Sequence, residues 1–244
     1  MTEATGSTMP PRRSLGKRIA VGVVGLLLAW AIVAYFAMPD WWRHYFRRHP
    51  NLEDVPRVTH TKDGIPGDPL NVALVGTQDQ VMKIMVAAKW YPADPLTLKC
   101  CLEIAEATVL RRPYETAPVS NLFLFGRKED LAFEHPVGHD PRKRHHVRFW
   151  KTDKLDDDGR PVWIGAAIYD EHVGFSKTTG QITHVTGAYI DKERDKLFDD
   201  LTATGDMEES YFIDGFHTIR EGKYGGGDPW YTDGRLLVGI ITAK

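Results

Sequence analysis

The sequence has very little cysteine. Its 244 residues include only two, Cys100 and Cys101, and neighbouring cysteines on a helix cannot form an ordinary disulfide without distorting the backbone. Two adjacent thiols that lack the C-x-x-C spacing also make a poor metal or redox site. We therefore expect both cysteines to have a structural role.

Motifs that would identify an enzyme are also missing. The sequence has no H-E-x-x-H motif, no cysteine cluster and no G-x-G-x-x-G dinucleotide fingerprint. Ser120 and Ser176 lack the G-x-S-x-G setting of a nucleophile elbow. The sequence therefore assigns no catalytic residue and no cofactor, and it leaves a metal site undetermined.

Charge of one sign is not in large excess. Charged residues make up 26% of the chain, hydrophobic residues make up 42%, and the formal net charge is -2, which is an ordinary globular composition. Residues 1–18 form a basic N-terminal tail, whereas the rest of the chain is net acidic. Because no large basic surface is expected there, the sequence argues against a nucleic-acid partner.

One long apolar run is present, at residues 19–38. It contains no charged residue, and a helix of that length spans about 30 Å, the thickness of the hydrocarbon core of a bilayer. A cleaved signal peptide is the alternative, but bulky Tyr35 lies two residues before Ala37, where a cleavage site would need a small residue. We predict an uncleaved transmembrane anchor whose partner is the lipid bilayer.

The basic residues on either side of the run bear on its orientation. Four precede it and three follow it within a few residues. By the positive-inside rule this difference favours a cytoplasmic N-terminus and an exported C-terminal domain.

Residues 39–65 form an aromatic and basic juxtamembrane segment and a linker. Trp41, Trp42 and Tyr45 belong to residue types favoured at the headgroup level of a membrane, and the adjacent arginines can reach lipid phosphates. The same spacing also fits a short helix that packs on the globular part. Prolines at positions 50, 56, 66 and 69 indicate a linker, and we expect the globular domain to occupy residues 66–244.

The globular part combines a few helices with many short strands. Residues 70–75 predict a strand, and residues 77–80 form a capping-box pattern that opens a helix with an apolar stripe of Val81, Ile84 and Met85. Further helices are predicted after Asp94-Pro95 and over residues 191–201. Short strands are predicted at residues 122–125, 131–133, 145–150, 162–169, 182–185, 211–213 and 236–242. This order is typical of the α+β class, here a single mixed-sheet domain with about three helices after one N-terminal transmembrane helix.

The densest polar cluster lies at residues 142–150. Strand alternation places Val147 and Phe149 on one face and His146, Arg148 and Trp150 on the other. Histidine is a common metal ligand and arginine suits phosphate or carboxylate, so this second face could hold an anion or a metal. Hydrogen-bonded histidines beside a solvated basic edge would produce the same pattern.

Later segments supply further polar side chains. A selective pocket needs several polar groups, so we expect residues from later strands and the third helix to approach His146 and Arg148 on a partly exposed sheet face. The candidate ligand-binding residues are His146, Arg148, His184, Asp191, Arg194 and His217.

Several motifs, taken in order, resemble the LssY C-terminal domain family. They are the runs at residues 64–76, 122–127, 130–133, 144–150 and 191–195, and the resemblance spans about residues 60–242. It implies a bacterial protein with a single membrane span. Members of this family have no established activity, and the domain can also follow a membrane-embedded region like a phosphatidic-acid phosphatase. The family pattern commonly has two histidines where this chain has His184-Val185.

Two hypotheses follow for the function. The first is a module anchored in the bacterial inner membrane that binds a small polar ligand or a partner, such as another envelope protein or a membrane enzyme. The alternative is a metal-dependent hydrolase acting on phosphorylated lipid or envelope substrates, which is motivated by the histidines, the acidic residues and the phosphatase neighbours that the resemblance implies.

Overall fold

The computed structural model describes residues 15–42, 57–93, 121–138, 143–156 and 159–242. The helix predicted after Asp94-Pro95, both cysteines and residues 43–56 of the juxtamembrane segment lie outside the described residues.

The first helix, α1, covers Leu15–Ile32 and continues through a π-helical turn at Val33–Ala37 and further helical residues to Trp42. Over Gly16–Trp42 it is long and apolar enough to cross a membrane, and it is mostly exposed. The predicted anchor at residues 19–38 falls within this helix.

Among the described residues, two further helices pack on the globular domain: α2, Gln78–Ala87, and α3, Ile190–Ala203. Helix α2 begins where the sequence predicts, because Thr77 and Gln80 form a complete capping box, and it buries Val81, Ile84 and Met85. Helix α3 has no side-chain hydrogen bond at its N-cap, Tyr189, but it carries Asp191 and Glu193 in its first turn, where acidic side chains interact favourably with the helix dipole.

The sheet strands are mostly short, as predicted. They are β1 Val58–His60, β2 Pro66–Pro69, β3 Val72–Val75, β4 Tyr91–Pro92, β5 Phe123–Leu124, β6 Arg127–Lys128, β7 Leu131–Pro136, β8 Arg144–Leu155, β9 Pro161–Phe175, β10 Ile182–Thr186, β11 Met207–Ile213, β12 Glu221–Lys223, β13 Pro229–Tyr231 and β14 Leu236–Ile241.

The main sheet has the strand order β11-β14-β3-β9-β8-β7-β4, and β10 pairs with the far end of β9. Its pairs are antiparallel except for β14 with β3, which run parallel. A smaller sheet has the order β2-β1-β5-β6, and β12 pairs with β13. The mixed sheet with helices confirms the predicted α+β class. We expect the globular domain to begin at residue 66. Strand β1 precedes that residue and pairs with β2 of the domain.

Each face of the main sheet covers its own apolar core. One core joins Val147 and Phe149 of β8 to residues of α2 and α3. The other contains Trp150 of β8 together with residues of the smaller sheet and of the loops near Trp230. The alternation predicted for residues 145–150 therefore holds in β8, and the side of β8 that carries Trp150 also carries the polar residues described next.

Candidate functional site

A cavity of about 250 Å³ lies on the side of the main sheet away from α2 and α3. Alternation along β8 brings Arg144, His146 and Arg148 to its wall, and all three are buried. The registers of the neighbouring strands set the rest of the wall: β9 pairs Asp170 with Arg144, and β10 contributes His184. Further lining comes from Asp68 of β2 and from the loop Tyr224, Gly225, Gly226.

Asp170 stands at the centre of the charged groups. Its Oδ2 atom lies 3.2 Å from His146 Nδ1, 3.5 Å from His184 Nδ1 and 3.5 Å from Arg144 Nε. Burial alone would raise the pKa of this carboxyl, but the two imidazoles and the guanidinium more than offset burial and hold its pKa well below the usual range. Asp170 is therefore a buried carboxylate that remains ionised at neutral pH.

The two histidines that share Asp170 have pKa values shifted in opposite directions. Burial lowers the pKa of His146, but attraction to Asp170 outweighs it, so the pKa of His146 is raised. Burial also lowers the pKa of His184, and here Asp170 only partly compensates because Arg144 lies on the other side of the ring. His146 thus favours the charged form and His184 the neutral form.

The geometry around His184 fixes where its proton lies. Arg144 Nη2 is 3.1 Å from His184 Nε2, and a guanidinium can only donate, so Nε2 accepts. The remaining proton of the neutral ring is then on Nδ1, on the side of Asp170.

The arginines of the cavity are held by carboxylates. Arg148 Nη1 donates to Asp68 Oδ2 at 2.6 Å, and Arg144 Nη1 lies 3.3 Å from Glu134 Oε2. Asp68 is itself positioned through its backbone, since its N–H donates to Thr59 Oγ1 at 2.7 Å. The wall of the cavity therefore carries cationic groups at fixed positions.

His146 contacts carboxylates as ion pairs but has no hydrogen bond of good geometry among the described residues. Its side chain is 4% exposed, and among the described residues neither ring nitrogen has a hydrogen-bond partner of suitable angle. The ion-pair contacts with Asp170 at 3.2 Å and Asp68 at 3.9 Å leave this ring at the cavity wall with donor capacity.

Three of the six candidate residues lie together, and three lie elsewhere. His146, Arg148 and His184 line the cavity; His146 and Arg148 are buried, whereas the His184 side chain is 30% exposed. Asp191 and Arg194 belong to a separate network at the start of α3, where Arg194 Nη1 donates to Asp233 Oδ1 at 2.9 Å. These two residues do not line the cavity.

His217 also has a structural environment of its own. Its Nε2–H donates to the backbone oxygen of Leu70 at 2.6 Å, and its ring packs against Phe216 and Trp230. It satisfies a buried carbonyl and does not line the cavity. His145, on the opposite face of β8, lies 2.8 Å from Glu193 of α3 through Nδ1.

Sequence reasoning did not identify Arg144, Asp68 or Asp170 as part of the site. Arg144 lies two residues before His146 and four before Arg148, so strand alternation places all three on the same face of β8. Asp170 follows the apolar residues of β9. An acidic residue at the end of an apolar strand could have marked it as a candidate site residue. Asp68 lies in a Pro-rich strand and had no comparable signal.

The donor set gives no metal centre in the part of the chain that the structure describes. No three His, Cys, Asp or Glu side chains there are arranged to hold one ion. The histidines and Asp170 are instead organised by ion pairs with the arginines.

Comparison with known proteins yields one match. The family model described as LssY C-terminus matches residues 52–236. No curated protein matches the chain, and no solved structure matches it.

Proposed function

Because the chain belongs to the LssY C-terminus family, we propose that it is a membrane-anchored module that binds a small polar ligand in the cavity around His146. The anchoring is supported by the apolar helix Gly16–Trp42. The bacterial inner membrane and an exported globular domain are parts of the same proposal, as is delivery of the ligand to or from an envelope partner.

The observation that carries the proposal is the state of His146. A buried polar group without a hydrogen bond costs about 1–3 kcal/mol, and both ring nitrogens of this buried side chain lack one among the described residues. A ligand oxygen in the cavity would accept a hydrogen bond from the imidazolium. We therefore expect a ligand with an anionic or strongly accepting oxygen.

The arginines add to this preference. Arg144 and Arg148 flank His146 on the same wall, and charge-assisted hydrogen bonds from such groups are about twice as strong as neutral ones. Asp68 and Asp170 also line the cavity and would accept hydrogen bonds from donor groups of the ligand. The size of the cavity, about 250 Å³, fits a small molecule or a headgroup-sized part of a larger one.

Calorimetric titration of the full chain in detergent tests the proposal, with inorganic phosphate as the probe oxyanion at pH 6. We expect saturable binding that His146→Gln weakens about tenfold or more, since a charge-assisted hydrogen bond contributes about 1.5–3 kcal/mol. His172→Gln is the matched control, because His172 is an exposed residue of β9. Absence of binding to the wild type, or equal binding by His146→Gln, would contradict the proposal.

The orientation part has its own measurement. A phosphatase reporter that is active only outside the cytoplasm, fused after Lys244, should be active if the globular domain is exported. Activity of a cytoplasmic reporter at the same position would reverse the assignment.

The metal-dependent hydrolase gains no support from the geometry of the described residues, because no three of their His, Cys, Asp or Glu side chains are arranged to hold one ion. Ligand binding is therefore the function we propose.

A further inference from the structure

The anchor helix is bonded to the globular domain at the turn between β9 and β10, residues 176–181. Trp30 Nε1 donates to the carbonyl of Gly180 at 3.0 Å, and Trp42 Nε1 lies 3.5 Å from the carbonyl of Thr178. Gln181 Nε2 donates in the reverse direction, to the carbonyl of Ala34 at 2.6 Å. Three contacts, made by the helix between Trp30 and Trp42, hold the turn along the anchor.

The Gln181 contact replaces a hydrogen bond that the helix itself cannot make. In the π-helical turn the N–H of Met38 donates to Val33, so it is not used for the carbonyl of Ala34 as it would be in an α-helix. The next candidate donor, five residues after Ala34, is Pro39, which has no N–H. A helix carbonyl left without a donor is costly in a membrane, and Gln181 supplies the donor.

The position of Trp30 sets the depth of the turn. Trp30 lies eight residues before Met38, the end of the apolar run, and a helix rises about 1.5 Å per residue, so Trp30 is about 12 Å inside that end. A turn bonded to Trp30 therefore cannot lie outside the membrane if the apolar run spans it.

The end of the β9–β10 hairpin presents apolar side chains beside the anchor. Phe175 is 68% exposed and Ile182 is 56% exposed, and they are direct partners across the two strands. The Phe175 ring makes an edge contact with Trp30 at 6.0 Å between ring centroids. These two side chains form an apolar surface that continues the surface of the anchor.

The backbone of the turn is suited to a place without water. All six N–H groups of residues 176–181 donate within the protein: to Ser176 Oγ from Thr178 and Thr179, to Thr179 Oγ1 from Gln181, and to backbone carbonyls from Ser176, Lys177 and Gly180. Lys177, the charged residue of the turn, is 67% exposed and pairs with Asp228 at 2.7 Å. A backbone whose donors are all satisfied internally loses little when it leaves water.

We infer that the β9–β10 end, with Phe175 and Ile182, is inserted into the bilayer beside the anchor as a second membrane contact. The inference rests on the membrane anchoring in the proposed function. It also specifies the surroundings of the cavity, since Gln181 and Ile182 line it. The His146 cavity then opens at the membrane interface.

Spin labelling of the full chain in lipid vesicles tests the inference. In a chain with Cys100→Ser and Cys101→Ser, one cysteine at a time is introduced by Phe175→Cys, Leu155→Cys or Leu26→Cys and labelled with a nitroxide. Leu155 is the matched control, because it is 62% exposed and lies opposite Pro161, at the other end of β9 from Phe175. Leu26, in the apolar run, reports the anchor.

The measurement is the collision rate of each label with oxygen, which concentrates in lipid, and with a water-soluble nickel chelate. At positions 175 and 26 we expect the collision rate with oxygen to exceed the collision rate with the nickel chelate. At position 155 we expect the reverse. If the label at position 175 behaves like the label at position 155 while the label at position 26 remains in lipid, the inference is overturned and the anchor is not. A label at 26 exposed to nickel overturns the anchoring and the inference together.

Discussion

At Asp170 one carboxylate oxygen faces two imidazoles and a guanidinium. The rings are chemically identical, yet their pKa values shift in opposite directions because Arg144 lies directly against His184. Environments that separate the protonation states of two neighbouring groups are typical of functional sites. The pair thus gives the cavity one charged donor and one neutral ring at the same pH.

Removing the central carboxylate tests the network. Asp170→Asn should destabilise the fold by about 3–5 kcal/mol, because it leaves buried cationic groups without their shared partner. Guanidinium unfolding of the full chain in detergent, followed by tryptophan fluorescence, measures the change. Asp153→Asn, an exposed residue of β8, should stay within about 0.5 kcal/mol of wild type, and equal effects of the two changes would show that the network does not stabilise the fold.

The raised pKa of His146 predicts a pH dependence with a definite sign. A histidine with a folded-state pKa above its ordinary 6.5 binds its proton more tightly when folded, so its contribution is complete below that pH and is lost as the pH rises through the folded pKa. Wild type should therefore have a larger free energy of unfolding than His146→Gln at pH 6. This difference should be smaller at pH 9. His172→Gln, a change at an exposed residue of β9, is the matched control. A difference between wild type and His146→Gln that grows with pH would mean that the pKa of His146 is lowered.

The sequence predicts only those site residues that strand alternation within β8 identifies. Alternation places His146 and Arg148 on one face from local sequence alone. Asp170 meets them only through the register of β8 against β9, and Asp68 only through β2. Register over such distances depends on tertiary packing, which is why the local sequence did not place these two acids beside His146.

Among the elements, the pair β8–β9 forms the wall of the cavity and depends on a close approach at Gly165. A Cβ on this residue would lie 2.6 Å from the carbonyl oxygen of Arg148 and 2.7 Å from the ring of Phe149. The backbone of β8 carries Arg148 into the cavity, so crowding at Gly165 would disturb the core and the site together.

Gly165→Ala should therefore destabilise the domain by about 1–3 kcal/mol, the usual cost of overpacking. Guanidinium unfolding of the full chain in detergent, followed by tryptophan fluorescence, measures the change. Gly187→Ala is the control, because its nearest atom would be at an ordinary 3.5 Å. A Gly165→Ala protein as stable as Gly187→Ala would show that β8 and β9 can separate without cost.

Element prediction from the sequence succeeded where a local pattern was complete. The capping box at Thr77 and Gln80 located the start of α2, and alternation located β8. The length of β9, Pro161–Phe175, was underestimated at residues 162–169, since its last residues are exposed and polar or mixed. They are held in the strand by pairing with β10, a contact that no local pattern encodes.

For the whole molecule, the helix Gly16–Trp42 predicts integral membrane association. The full chain should stay in the membrane pellet after washes with high salt and alkaline carbonate. The double change Leu26→Arg and Leu27→Arg should release it, because each arginine near the centre of a span costs about 2.5–3.5 kcal/mol. A mature N-terminus found after Ala37 would instead show that the run is a cleaved signal peptide.

The position of β14 has a consequence for biosynthesis. This strand, Leu236–Ile241, lies inside the main sheet between β11 and β3, and its pairing with β3 is parallel. Until residue 241 has been synthesised, β3 has one unpaired edge and β11 lacks the strand with which it pairs. Since contacts between residues so far apart in sequence slow folding, the domain should complete its fold only after residue 241 has been synthesised. A nascent chain halted before residue 236 should therefore remain sensitive to protease, whichever side of the membrane it occupies.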